Sequence, residues 1–137
     1  MIIVVHHQLK EAILKGQKTA VMTQENFIKD EPISLCTRTT SFPAHEYEFA
    51  TAVARESAIL RIFAKEEKIY RQVYEMGKWK WKLLDKVTTR RVLLNEGFAH
   101  PDDFWNNLEK RKNGYIVVNQ IYFDTLQFNN SELKISE

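Results

Sequence analysis

A chain of 137 residues, 44% hydrophobic and 28% charged, has the composition of one soluble globular domain with a core large enough to fold alone. Its formal net charge of +2 is too small to imply a nucleic-acid partner, so that case must rest on where the charges lie. A single cysteine, Cys36, excludes an internal disulfide and a thiolate metal cluster, and points to a reducing, cytoplasmic setting.

The opening residues "IIVV" form a β-branched run expected as a first, buried strand. The segment has no basic flank and is too short to span a membrane, so no membrane partner is expected. Leu9, Ala12, Ile13 and Leu14 then fall at helical spacing, and Gly16 stands where a left-handed glycine would end that helix. "TAVMT" predicts a second strand and "ISLCTRT" a half-buried third, with turn chemistry at Asp30 and Pro32 between them. From Glu46 to Met76 the apolar residues, Phe49, Ala52, Val53, Ile59, Leu60, Phe63, Tyr70, Val73 and Tyr74 among them, recur at spacings of three and four. That spacing predicts one long helix or two broken ones, stopped at Gly77. A hairpin of "AILRIF" and "KIYRQVY" is the rival, disfavoured because "AKEEK" holds no Gly, Pro, Asn or Asp.

"KWKWKLLDKV" alternates strictly. Trp79, Trp81, Leu83 and Val87 share one side, read as core, and Lys78, Lys80, Lys82 and Lys86 share the other. "HPDDFWNNLEKR" predicts a helix with Pro101 in its first turn, ended by Asn113 and Gly114. "YIVVNQIYF" reads as a central last strand, and residues 129–137 as a polar tail. Four isolated glycines exclude the phosphate-loop and dinucleotide fingerprints. The fold class is therefore α+β, one domain over residues 1–128 around a small curved sheet or barrel.

"LKGQK" after a first strand and helix, then "LLNEGF", "DDFW" and a closing "IYF" strand, resemble the ASCH domain of the PUA-like superfamily over residues 2–39 and 78–124. That resemblance implies a PUA-like β-barrel of about five to six strands with flanking helices, and makes residues 44–77 a helical insertion. It implies a cleft for nucleic acid or a modified nucleoside. Some ASCH proteins are amidohydrolases that deacetylate N-acetylated cytidine, and others are RNA-binding modules or nucleases. The family's Gly-x-Lys-x-x-Thr-x-Arg segment places its lysine on Lys18 and its later glutamate on Glu96, the implied catalytic pair. Its threonine falls on Val21, which has no hydroxyl, and its arginine on Thr23. Thr19 and Thr23 share the side of Val21 and would have to supply the hydroxyl.

From the residues alone, Lys18 and Glu96 are either a base and a lysine tuned by burial, or a solvated pair of little energy. Neither is an apolar core residue, so replacing either should cost little stability. Residues 78–91 carry six bases against one acid, and cations interleaved with aromatics suit a single-stranded nucleic-acid groove. The bland alternative is tryptophans in the core and lysines that protect a sheet edge. The candidate nucleic-acid contacts are Lys18, Thr19, Arg38, Lys78, Lys80, Lys82, Arg90 and Arg91. Arg38 would replace the missing motif arginine if both strands line one cleft. Adjacent His6 and His7 point to opposite sides, and His45 and His100 stand apart, so no metal site and no cofactor is expected. Cys36 reads as a small half-buried apolar residue. The leading function is a nucleic-acid-binding module, RNA ahead of DNA. An amidohydrolase on a modified nucleoside comes second. A protein-interaction module comes third, forming a homodimer through the long helix.

Overall fold

The computed structural model describes residues 1–39, 43, 45–98, 100–108 and 114–129. The polar tail beyond residue 129, part of the loop at 40–44 and the expected helix end at 109–113 lie outside the described residues. Among the described residues, seven strands and three helices follow in the order β1 (Ile2–Val4), α1 (His7–Leu14), β2 (Ala20–Thr23), β3 (Pro32–Arg38), β4 (Glu46–Phe63), β5 (Lys68–Glu75), β6 (Lys78–Leu83), α2 (Lys86–Asn95), α3 (Pro101–Asn107) and β7 (Ile116–Phe128). The class is α+β, with all seven strands in one sheet.

Strand β4 is the hub. Its first half pairs with β3, which pairs in parallel with β1, and its last four residues pair with β5, which continues to β6. Its other edge carries β7 from Ala50 to Ile62, and β7 carries β2. The outer strands β1, β2 and β6 do not pair with one another among the described residues, so the sheet is not closed into the expected five- to six-stranded barrel. The first strand is also not central: it lies at an edge, and Ile2 and Val4 are exposed while Ile3 faces the core.

The expected helical insertion at 44–77, and the long helix proposed as a dimer surface, are corrected by this topology. Glu46–Phe63 and Lys68–Glu75 are strands. Two features account for the difference. Strand β4 shifts register between Thr51 and Val53 and again between Ala54 and Glu56. The buried Ala50, Ala52, Ala54, Leu60 and Ile62 still keep period two, but the less buried apolar residues Val53, Ile59 and Phe63 fall between them and give the set the spacings of three and four that imitate a helix. The turn at 64–67 needs no glycine, because Glu67 itself takes the left-handed conformation (φ 56°) and its N–H bonds to the Ala64 carbonyl. Gly77 ends no helix. With Met76 (φ 51°) it forms the two-residue loop between the paired Glu75 and Lys78, a turn whose two positive φ values match the twist of a hairpin.

The sheet supports two cores. One joins Ile3, Val5, Ile13, Val21, Ile33, Leu35, Phe49 and Ile121 at the β1–β3 end. The other covers the opposite face of the sheet, where Leu60, Ile62, Ile69 and Val118 meet Val92 and Leu93 of α2 and Phe104 and Trp105 of α3. Helix α2 went unrecognised in the sequence. It is started by Asp85, whose carboxylate accepts the Thr88 N–H at 2.7 Å; that contact holds the Asp85 carboxyl below its usual range. No helix among the described residues is long and apolar enough to cross a membrane.

Candidate functional site

Two helix ends meet at the site. Helix α1 closes on Gly16 (φ 73°), with the Gly16 N–H on the Ile13 carbonyl and the Gln17 N–H on the Ala12 carbonyl. Helix α2 closes the same way on Gly97 (φ 94°), with Gly97 on Leu94 and Phe98 on Leu93. Both are Schellman closures, in which a left-handed residue turns the chain back to satisfy the last carbonyls. They lock together: a Cβ on Gly97 would lie 3.1 Å from the Ala12 Cβ and 3.2 Å from the Lys18 Cβ. Two of the four segments behind the family resemblance, "LKGQK" and "LLNEGF", hold these facing turns.

Their juxtaposition fixes Lys18 against Glu96. The Lys18 ammonium donates to Glu96 Oε1 at 3.1 Å and to the Glu96 backbone carbonyl at 3.0 Å, at the electronegative end of α2. Both residues are only 4% exposed. The other carboxylate oxygen accepts the Gln120 amide at 3.0 Å, the same amide bonds the Val92 carbonyl, and the Tyr122 hydroxyl donates to Gln120 Oε1 at 2.8 Å. Gln120 is fully buried. Burial pushes the Glu96 carboxyl above the usual carboxylate range, opposed by the Lys18 charge and by the hydrogen bonds from Gln120 and Lys18. Sequence patterning gave no sign of Gln120 and Tyr122. The only available signal was a glutamine at an inward position of the otherwise apolar last strand.

This arrangement is a four-residue polar network in which Lys18, Glu96 and Gln120 are buried. It can hold one proton on Glu96 at a raised pKa, but no hydroxyl from the motif position joins it. Val21 packs into the opposite core. Thr19 is exposed and its hydroxyl faces Asn95 at 3.5 Å, and the Thr23 hydroxyl accepts the Glu25 N–H. A small cavity of about 370 Å³, lined by His6, Gln8, Leu9 and Phe98, opens near the Gly97 turn. Arg38 does not share it: its guanidinium pairs with Glu46 at 2.7 Å on an exposed strand end. His6 caps α1 through Nδ1, and among the described residues no three His, Cys, Asp or Glu side chains gather for a metal ion.

The second cationic group lies on the β5–β6 hairpin. Lys78, Lys80 and Lys82 are exposed on one face of the edge strand β6. Register places Arg71 opposite Lys82, Val73 opposite Lys80 and Glu75 opposite Lys78. Glu75 takes Lys80 at 2.7 Å and Lys82 at 3.8 Å, and the Lys80 contact is the main reason its carboxyl lies below the usual range. Arg71 was missed in the sequence. It has no ion-pair or hydrogen-bond partner among the described residues, and its Nε is buried and unbonded. Arg90 and Arg91 are exposed on α2. Arg90 reaches a groove of about 710 Å³ that is also lined by Lys68, Leu83, Leu84 and Lys86. The tryptophans are not core. Trp79 is 67% exposed and Leu83 48%, because β6 is an edge strand whose Trp-bearing face is turned away from the helices.

Comparison of the chain with family models, with curated proteins and with solved structures finds no match in any of the three.

Proposed function

We propose that this domain binds nucleic acid, RNA in preference to DNA, through the cationic face of its β5–β6 hairpin. One observation carries the reading. Arg71 and Lys82 stand directly opposite each other across two strands, a like-charge pairing that destabilises a sheet unless an anion is shared between them. Lys78 and Lys80 extend the row, and Glu75 is the one carboxylate among them. A phosphate backbone supplies a row of anions to such a row of cations. Lys18, buried and held by Glu96, offers no direct contact, Thr19 is exposed next to it, and Arg90 and Arg91 add charge on α2. Arg38, neutralised by Glu46, is set aside.

Titration of single-stranded RNA at several salt concentrations tests this. The logarithm of affinity should fall linearly with the logarithm of salt, with a slope near −0.7 per phosphate neutralised. Absence of binding at low salt ends the reading.

Hydrolysis of a modified nucleoside is the second reading, favoured by the buried Glu96 carboxyl at 3.1 Å from Lys18. It ranks lower because Val21 faces the other core and the Lys18 ammonium already has two acceptors. Release of acetate from N-acetylated cytidine, lost in Glu96→Gln, would reverse the order. The interaction-module reading loses its element, since Glu46–Phe63 and Lys68–Glu75 are strands and there is no long helix among the described residues.

A further inference from the structure

Among the described residues no helix covers the face of the sheet opposite the α2–α3 core from β4 to β6, and that face is aromatic. Register puts Arg61 and Phe63 of β4 beside Tyr70 and Tyr74 of β5, and these beside Trp79, Trp81 and Leu83 of β6, all on one side. Tyr74 and Trp79 rings lie 5.1 Å apart, and Phe63 touches Tyr70 at 5.4 Å and Tyr115 at 5.3 Å. The Arg61 guanidinium is clamped between Trp81 at 4.1 Å and Tyr115 at 4.6 Å. Tyr74 is 61% exposed and Trp79 67%. Resting on the nucleic-acid reading above, we propose that this face is a stacking platform for the unpaired bases of a single-stranded RNA, with the phosphates on the lysine face of the same edge strand.

The charge pattern selects this occupant. From Ile59 to Phe63 of β4, across β5 and β6, and from Tyr115 to Asn119, the outward side carries Arg61 and Lys68 and no carboxylate. Glu75 falls on the other side, with Lys78. The Arg61 guanidinium makes no ion pair or hydrogen bond among the described residues, and its Nε is buried and unpartnered. An apolar protein surface, or the same face of a second copy, would bury that charge uncompensated, which is costly. A polyanion with flat bases compensates the charge and stacks on the rings. Double-stranded RNA cannot use the platform, because its base faces are already occupied by one another. On β6, rings project from one side and ammonium groups from the other, so a strand running along this edge meets both.

The test is quenching of tryptophan emission by oligouridylate and by a duplex of equal length, read on the wild type and on Trp79→Ala, Tyr74→Ala, Trp79→Phe and Lys80→Ala/Lys82→Ala. The substituted side chains are exposed, so the variants keep the fold. The single strand should quench emission and bind tighter than the duplex. Trp79→Ala should weaken it by about 5- to 140-fold, the range that about 1–3 kcal/mol of stacking represents at about 1.4 kcal/mol per tenfold. Trp79→Phe should keep most of the affinity, and the salt slope should fall in the lysine variant but not in Trp79→Ala. Unchanged affinity in Trp79→Ala and Tyr74→Ala, with loss in the lysine variant, overturns the platform and leaves the nucleic-acid reading standing. No binding by the wild type at low salt overturns both. A concentration-dependent dimer that Trp79→Ala dissociates shows that a second copy covers the face, and overturns the platform.

Discussion

Lys18→Met removes the ammonium from a buried ion pair while keeping the bulk of its stem. Glu96 then keeps the Gln120 amide at 3.0 Å, but its backbone carbonyl and one carboxylate oxygen lose their shared donor. At 4% exposure water cannot replace that donor. Breaking a buried pair from one side costs about 3–5 kcal/mol, a fifth or more of the roughly 5–15 kcal/mol that holds a domain of this size together. With a urea m-value near 2 kcal/mol/M, the midpoint should fall by about 1.5–2.5 M at neutral pH. This reverses the expectation that a polar residue here is dispensable for folding. The double variant Lys18→Met/Glu96→Gln should recover part of the loss, because no unpaired buried charge remains. The deficit should also depend on pH. Burial raises the folded-state pKa of Glu96 above its unfolded value, so its stabilising contribution is present below the unfolded value and is lost as pH rises through the folded one. Without Lys18, the main influence holding that pKa down is gone and the window extends upward. The variant should therefore be weakest at high pH and approach the wild type as pH falls toward the usual carboxylate range. Urea titrations at several pH values measure both effects. A loss below about 1 kcal/mol, or a double variant no more stable than additive singles predict, would refute the coupling.

Gly97→Ala should destabilise by about 1–3 kcal/mol in the same titration, since φ 94° disfavours a side chain and the new Cβ meets Ala12 and Lys18 at 3.1 and 3.2 Å. Met76→Asn should raise the thermal midpoint by a few degrees, because asparagine tolerates the left-handed conformation that methionine holds at φ 51° and the site is 97% exposed. Phe49→Ala, fully buried in the β1–β3 core, should cost about 3–5 kcal/mol by the same measure.

How legible the chain is varies along its length, for physical reasons. Helix α1, its Gly16 stop, strands β2 and β3 and the Pro101 start of α3 follow from local signals, and the structure has them. The pairing of Lys18 with Glu96 came to notice through two short motifs, which the structure explains as two interlocked glycine turns. What failed was reading period alone. In β4 the buried residues alternate, but Val53, Ile59 and Phe63 on the less buried positions mix with them into spacings of three and four. The KWKWK alternation is real, but alternation states which residues share a side, not which side is dry. With β6 at an edge and no helix over its aromatic side, the sheet buries neither face of that strand. Arg71 and Gln120 were invisible for a related reason: each matters through a partner on another strand.

Strand β4 runs unbroken through both cores, and its main partner, β7, comes about 60 residues later in the chain. Its pairings with β3 and β5 are local, but its longest pairing waits for that distant segment, so the contact order is high and refolding should be slow for a chain of this length. The same continuity couples the two cores mechanically. An opening that frees one end of β4 strips pairing from the other, so the amides from Ala50 to Ile62 should exchange with solvent together, at the free energy of global unfolding.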